Sequence, residues 1–344
     1  TGEDIAHTMD SLGASYGISC GNNTPLTSAS CFRDDLPVVL EIVDDLIQNP
    51  SLPEEALERE RKTMITELRE QEQDPLSVAF RQMRPALFGE NGYGLNSGGT
   101  EKSLNALTSN SLATYHQKYF TAKNSVLAIF GDIDLEAVTA DVEKFFGTME
   151  KGKRMTAPDV DILKPIEIRE QLDKQQAILT VGFHGASAHE CDNHALELIH
   201  DYCTDMAGPL FTKIREELGL AYYVSATQFH GINTGMFAFY MGTSPEQLDT
   251  ARSVLLEEIE KIAEKGIPEN TLKDVKTTWL ASHALSKQKI GSMARLSAID
   301  VLLGFPADHH THTPDVIRAL TDDDIKKAAR KYFGKKPVIV TVTP

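Results

Sequence analysis

The feature that most constrains the fold of this chain is an internal repeat. Residues 53–65 resemble residues 268–280 at an offset of 215, and residues 108–126 resemble residues 321–339 at an offset of 213. Matches in the same order at a nearly constant offset are typical of two copies of one domain, whereas solenoids repeat every 20 to about 50 residues. A chain of 344 residues is long enough for two such domains.

The repeat also predicts where the domains begin and end. We expect the first domain at 1–150 and the second at 166–344, joined by a linker at 151–165 that is rich in Lys, Pro and Asp. Subtracting the offset from the start of the second copy places the start of the first copy before Thr1. We therefore expect the first domain to be N-terminally truncated, without its first strands and helix.

The coarse pattern of elements predicts an α+β fold. Each copy contains two successive helices. Later in each copy, a helix that ends with Lys-Tyr-Phe is followed by a predicted strand; this strand is at 125–130 in the first copy and at 338–342 in the second. The second copy also contains a strand at 177–183 and a hairpin built from 222–229 and 236–241. Strands and helices alternate irregularly, which favours two duplicated domains, each a mixed sheet with helices packed on one face.

Charge and hydropathy exclude several classes of function. Fifty acidic residues against 34 basic ones give a net charge of −16, which argues against nucleic acid or an anionic membrane as a partner. No apolar run approaches the roughly 18 to 20 residues that span a bilayer, so we expect a soluble protein. The compartment stays open among cytoplasm, periplasm and organellar matrix. The scattered cysteines predict reduced core thiols and no disulfide framework: Cys20, Cys31, Cys191 and Cys203.

Two carboxylates on one predicted helix are the first candidates for chemistry. Glu60 and Glu67 are seven residues apart, which places both on one face of the helix. The second copy has Val275 and Ser282 at these positions, so the shared scaffold does not require acids there. The pattern favours either a site peculiar to the first domain or an ordinary solvated helix.

The histidines give weaker signals. His189 and His194 resemble the two ends of an H-E-x-x-H motif, but they are five residues apart instead of four. On a helix this spacing would place the two rings about 140° apart. We therefore do not expect a zinc site there. His309, His310 and His312 cluster between two prolines, which predicts a polar loop between helices.

A third candidate lies at 210–222. A basic helix ends at Gly219, and a strand beginning with two tyrosines follows. Arg215 and Tyr222 are strong hydrogen-bond donors that can converge on a carbonyl or carboxylate. The alternative is a C-capped helix followed by a packed aromatic side chain.

These segments together resemble one protein family. The segments 58–67 and 214–222 carry the resemblance, with support from 12–15, 131–134 and 321–333. The chain resembles the insulinase/pitrilysin-type zinc metallopeptidases, specifically short subunits similar to mitochondrial processing peptidase and its bacterial relatives. The resemblance covers essentially the whole chain.

The resemblance implies a metal-dependent hydrolysis of peptides or unfolded segments. Members bind Zn²⁺ through an inverted H-x-x-E-H helix and a later glutamate, whose position matches Glu67. The zinc-activated water attacks the peptide carbonyl. Glu60 matches an acid that would orient a ligand. Arg215 and Tyr222 match a pair that the second domain points at the substrate, where Tyr222 would stabilise the oxyanion. Such subunits pair, as a homodimer or as a heterodimer with a sister subunit.

Two departures from the family pattern leave two hypotheses. No H-x-x-E-H occurs in the 344 residues, and its position falls before Thr1, so we expect this chain as given to be inert and to hold no catalytic zinc. Residues 15–18 replace an Asn-Ala pair that is common in active relatives. The chain is then either a zinc endopeptidase given without its motif segment, which Glu67 favours, or a non-catalytic partner, which Gly17 favours. That partner would supply Arg215, Tyr222 and half of a chamber to an active sister. An unrelated acidic binding module is a third possibility.

Overall fold

The computed structural model describes residues 1–157 and 165–344, which form two compact units. The middle of the expected linker, 158–164, lies outside the described residues. Each unit is assembled from three stretches of the chain, so the boundaries 1–150 and 166–344 stay a prediction. The first unit contains Thr1–Lys62, Asn105–Thr156 and Ala284–Thr311, and the second contains Thr63–Leu104, Ala157–His283 and His312–Pro344.

Helices dominate the described residues, and none of them is long and apolar enough to cross a membrane. The helices are α1 (Gly2–Ser11), α2 (Leu36–Gln48), α3 (Glu54–Gln73), α4 (Pro75–Phe88), α5 (Glu101–Ala106), α6 (Ser109–Tyr119), α7 (Leu135–Phe146), α8 (Asn193–Thr204), α9 (Leu248–Lys265), α10 (Glu269–Ser286), α11 (Ile290–Leu303), α12 (His309–Ala319) and α13 (Asp322–Phe333). The strands are β1 (Ser15–Cys20), β2 (Pro25–Ser30), β3 (Glu167–Gln171), β4 (Ala177–Gly185), β5 (Tyr223–His230), β6 (Gly235–Thr243) and β7 (Val338–Thr343).

A five-stranded mixed sheet forms the centre of the second unit. Its strand order is β3-β7-β4-β6-β5, with β3 parallel to β7 and the other neighbours antiparallel. The β5–β6 hairpin pairs Tyr223 with Gly242 and His230 with Gly235. The predicted hairpin is therefore confirmed, with ends that differ by one or two residues.

Both faces of this sheet are covered by helices. Leu179, Val181 and Phe183 of β4 pack in a core with residues of α8, α9 and α13. The opposite face packs against α4, where Met83 is fully buried. A Cβ on Gly182 would lie 2.4 Å from the Met83 sulfur, so a larger residue there would force the Met83 side chain to shift. The α+β class with a mixed sheet is confirmed, and α4 on the second face is an addition that the repeat did not predict.

The two halves of the chain repeat the same local structures. The order hairpin, helix, helix occurs as β1-β2-α2-α3 and again as β5-β6-α9-α10. Gly13 and Gly219, which precede the hairpins β1-β2 and β5-β6, have φ values of +61° and +60°. Thr108 and Thr321 also match, and each is the N-cap of a capping box at the start of α6 or α13. The duplicated sequence therefore encodes duplicated turns and caps.

Two expectations about local structure are wrong. No strand is assigned at 125–130 within the described residues, because a strand exists only where its backbone pairs with a neighbouring strand. The residues expected in a loop at His309, His310 and His312 instead begin α12. The carboxylate of Asp300 accepts hydrogen bonds from the backbone N–H of His310 at 2.9 Å and from its Nδ1 at 2.8 Å, which anchors the start of the helix.

The prediction that the cysteines are core thiols holds for only one of them. All four are free thiols, and Cys203 is fully buried on α8, where burial raises the pKa of its thiol. Cys20 and Cys191 are exposed and Cys31 is half-buried. Exposure follows from position, since Cys20 ends a solvent-exposed strand and Cys191 lies in a turn.

His184 is an unusual polar residue in the sheet. Its ring lies 5.3 Å from the ring of Phe88, and neither ring nitrogen has a hydrogen-bond partner among the described residues. Burial, and to a lesser extent the charge of Lys335, lowers the pKa of the imidazole. The folded chain therefore favours the neutral form of the His184 imidazole.

This environment makes stability depend on pH. In the unfolded chain the imidazole has an ordinary pKa of about 6.5, so it takes up a proton at a pH where the folded form does not. We expect the free energy of unfolding to fall as the pH drops below about 6.5, by at most about 1.4 kcal/mol per pH unit from this group. Urea unfolding of the protein and of His184→Phe, near neutral and near pH 5, measures the effect; identical pH slopes for the two would contradict it.

Candidate functional site

The segment that carries Arg215 and Tyr222 begins with an uncommon helix. Leu210–Glu217 is a π-helix, a form often found at functional sites. The N–H of Leu218 donates to the Lys213 carbonyl at 3.2 Å, and the N–H of Leu220 donates to the Ile214 carbonyl at 2.9 Å. These bonds close the helix at Gly219, whose positive φ allows the chain to turn into β5.

Tyr222 has a fixed backbone and an exposed side chain. Its N–H donates to the Gly242 carbonyl at 2.9 Å, and the Thr243 hydroxyl donates to the Leu220 carbonyl at 2.6 Å. The phenol is 65% exposed. A pocket of about 380 Å³ lies beside it. The lining residues come from the turn before β5 and from the turn after β6: Gly219, Leu220, Ala221, Tyr222, Ser244, Glu246 and Gln247.

Arg215 is exposed on the π-helix. Its guanidinium lies 4.8 Å from the centre of the Phe211 ring, while the neighbouring Ile214 is fully buried and anchors the helix. The structure places Arg215 and Tyr222 on one short segment. Within the described residues, the side chains of Arg215 and Tyr222 do not contact each other. The two residues therefore lie on one segment but do not form a hydrogen bond.

The predicted carboxylates lie on the exposed side of α3. Glu60 and Glu67 are both exposed, and Glu60 pairs with Arg59 at 3.4 Å. The buried Arg61 donates to the Leu107 carbonyl at 2.8 Å and therefore anchors the same helix. The arrangement leaves both carboxylates accessible to a ligand or to water.

The described residues do not fit a catalytic zinc ion. Such a site needs three protein ligands with one open position. Within 1–157 and 165–344, no group of three His, Cys, Asp or Glu side chains is placed to hold a metal. Glu67 is a chemically suitable ligand, but it supplies only one of the three.

None of the histidines singled out in the sequence lines the pocket beside Tyr222. His189 lies in the turn before α8, and His194 lies in the first turn of that helix. The Nδ1 atom of His194 is 3.7 Å from a carboxylate oxygen of Glu197. His310, buried against Asp300, belongs to the anchoring of α12.

Sequence reasoning missed the far wall of the pocket beside Tyr222. Ser244, Glu246 and Gln247 line it from the turn that follows β6. The register could have located them, because the residues after β6 must lie beside the residues before β5 in an antiparallel pair.

Comparison with known proteins identifies the family to which this α+β fold and these segments belong. Residues 106–278 match the family model described as the peptidase M16 inactive domain, and residues 1–101 match the model for insulinase, peptidase family M16. The chain belongs to the M16 peptidase family, the insulinase/pitrilysin type that its sequence resembles.

Individual relatives agree with this assignment. A Bacillus subtilis protein described as uncharacterized zinc protease YmxG is 24% identical over 346 residues, covering 99% of this chain and 83% of the relative. The fold is similar to a peptidase M16 inactive domain from Pseudomonas fluorescens, with a TM-score of 0.89, 21% identity, and 99% and 83% of the two chains covered. It is also similar to a protease from Helicobacter pylori, with a TM-score of 0.87, 16% identity, and 99% and 84% covered.

Proposed function

We propose that this chain takes part in zinc-dependent cleavage of peptides or unfolded segments, as the part that holds the substrate. One observation carries the proposal: the exposed Tyr222 phenol stands at a pocket of about 380 Å³ on a backbone that hydrogen bonds hold in place. Membership of the M16 family and relatives called zinc proteases support the reaction class.

In this proposal the second unit acts through hydrogen bonds to the peptide. The Tyr222 O–H donates to the carbonyl oxygen under attack, where negative charge develops. Arg215 holds a peptide carbonyl or carboxylate nearby, since its guanidinium is exposed and supported by Phe211. The zinc-binding histidines come from an H-x-x-E-H helix that these 344 residues do not contain.

Two sources of that helix give two forms of the proposal. In the first, residues encoded before Thr1 carry the motif, and the complete polypeptide is an endopeptidase. In the second, the motif belongs to a sister subunit, and this chain is its non-catalytic partner in a dimer. Gly17, within the stretch that replaces the Asn-Ala pair common in active relatives, favours the second form. Glu67 favours the first.

An assembly experiment tests the proposal. We expect this chain with added Zn²⁺ to leave a quenched fluorogenic peptide intact, and we expect cleavage when the chain is extended by its encoded upstream residues or mixed with a sister M16 subunit carrying H-x-x-E-H. The arm that restores cleavage identifies the form. If neither arm cleaves any peptide of a varied library, the proposal is wrong.

The carboxylates of α3 provide a paired prediction in the extended chain. We expect Glu67→Gln to lower zinc affinity and peptide cleavage severely, because it removes a proposed ligand. Glu60→Gln should cost less, about 10–100-fold, as is typical of groups that orient ligands. Zinc titration with a chromophoric chelator and the peptide assay measure both effects. Equal losses in the two variants would contradict the assignment of Glu67 as the ligand.

A further inference from the structure

A second pocket, of about 280 Å³, lies in the second unit beside α4. The helix contributes Ser77, Phe80, Arg81 and Arg84 to its wall. The chain that follows α4 contributes a short loop that ends at Ser97. This pocket shares no lining residue with the pocket beside Tyr222.

The packing of α4 determines which side chains face the pocket. Positions 77, 80, 81 and 84 follow the three- and four-residue spacing of one helix face and therefore form one stripe on the helix. The other side of the helix, which includes the buried Val78 and Met83, packs against the sheet. Burial of that side leaves the two arginines toward the pocket, while the Phe80 ring lines the pocket and also packs edge-on against Tyr240 at 5.8 Å.

The side chains that line this pocket carry a net positive charge, whereas the chain as a whole has a negative net charge. The lining includes Arg81 and Arg84, and none of its nine residues, all in the described part of the chain, is Asp or Glu. The whole chain has a net charge of −16. Arg81 also contacts Glu72 at 3.2 Å, in a pair exposed to solvent that a ligand can compete with.

Arg84 packs against an aromatic ring, whereas Arg81 pairs with Glu72. Its guanidinium is half-buried and lies 5.4 Å from the centre of the Phe229 ring. Burial lowers its pKa, but a guanidinium stays protonated at neutral pH. Each guanidinium has five N–H donors in a planar fork, so it can contact a neighbour and a bound anion together.

We propose that this pocket binds a carboxylate group, held by Arg81 and Arg84, with the ring of Phe80 against the apolar part of the ligand. The guanidinium fork matches the two oxygens of a carboxylate, which favours that anion over a lone halide. The carboxylate comes from a peptide, as its C-terminus or an acidic side chain. That last step rests on the proposed function, whereas the anion site itself does not.

Calorimetric titration of the 344-residue chain tests the proposal without any peptidase activity. The probes are N-acetyl-Ala-Ala-Phe as the free acid, the same peptide as its amide, N-acetyl-Ala-Glu-Ala-amide, and inorganic phosphate. We expect the free acid or the glutamyl peptide to bind and the neutral amide to bind at least about tenfold more weakly, because charge-assisted hydrogen bonds are lost. Whichever of the two acids binds identifies the source of the carboxylate. Phosphate binding as tight as either acid would overturn the carboxylate assignment.

Substitutions locate the binding. We expect Arg84→Gln and Arg81→Gln each to weaken acid binding about tenfold or more, and Arg69→Gln, at a surface pair with Glu101, to leave it unchanged. Arg84→Lys keeps the charge without the fork and should bind more weakly than the unmodified chain. If the Arg84→Gln variant does not fold, the Arg81→Gln variant, at a half-exposed position, still tests whether the acid binds in this pocket.

The possible failures are distinguishable. Acid binding that survives both Arg81→Gln and Arg84→Gln, or no binding of any probe, overturns the pocket assignment and leaves the assembly experiment unaffected. If the assembly experiment gives no peptide cleavage, the natural source of the carboxylate is no longer expected to be a peptide substrate. Binding of the free acid to the 344-residue chain would still support the anion site itself.

Discussion

Replacement of Tyr222 by phenylalanine is expected to lower kcat for peptide cleavage by about 100-fold or more in an assembly that carries the H-x-x-E-H helix. The phenol is the proposed donor to the developing oxyanion, and removal of one such donor has effects of this size. The exposed ring loses only its hydroxyl, so folding should not change. We expect KM and zinc content to stay close to their original values, because the bond strengthens mainly in the transition state.

The adjacent tyrosine is a matched control. Tyr223 begins β5 and is half-buried, with its ring 6.2 Å from that of Tyr240, and burial raises its pKa to about 12. Tyr223→Phe should leave kcat unchanged, since this side chain does not line the pocket beside Tyr222. Steady-state kinetics on both variants decide the matter. An unchanged kcat in Tyr222→Phe, or equal losses in the two variants, would rule out the proposed donor.

The largest expected effect on stability comes from the core of the sheet. Phe237 is fully buried on β6, with ring centres 5.1 Å from Phe239 and 4.8 Å from Phe333. We expect Phe237→Ala to lower the free energy of unfolding of the second unit by about 3–5 kcal/mol, because it removes apolar contacts and leaves a cavity. Urea titration followed by the fluorescence of Trp279, the single tryptophan, reports on the same unit.

A surface phenylalanine provides the comparison for this result. Phe32 is 73% exposed, so Phe32→Ala should change the free energy of unfolding by less than about 0.5 kcal/mol. Equal effects at the two positions would show that Phe237 does not pack as described. A change in the denaturant slope would indicate altered unfolding behaviour, and the comparison would then rely on thermal melting of the two variants.

Some of the local structure followed from the sequence, although the strand expected at 125–130 and the loop expected at His309 were wrong. The repeat aligns Thr108 with Thr321, and both residues are N-caps of a capping box; Gly13 and Gly219, each before a hairpin, also agree in φ. Such features depend on neighbours a few residues away, because a cap or a left-handed glycine is stabilised by its own turn. The β5–β6 hairpin was predictable for the same reason.

The family assignment was also accessible from the sequence, since it depends on short segments whose residues can be compared directly. The candidate site was accessible only in part. Arg215 and Tyr222 were found from one segment, but the pocket wall at Ser244 and Gln247 comes from the other side of a hairpin. The exposure of Glu60 and Glu67, which makes both carboxylates available as ligands, could be seen only once the orientation of α3 was known.

The sequence by itself determined the family, the repeat, the β5–β6 hairpin and the segment that carries Tyr222. Only the tertiary structure decided that α4 covers the second face of the sheet and that its opposite stripe, with Arg81 and Arg84, lines a pocket. It also decided that 125–130 forms no strand and that His310 packs on Asp300. The physical reason is that pairing, burial and pocket shape depend on residues distant in the chain, whereas caps, turns and helical periodicity depend on neighbours.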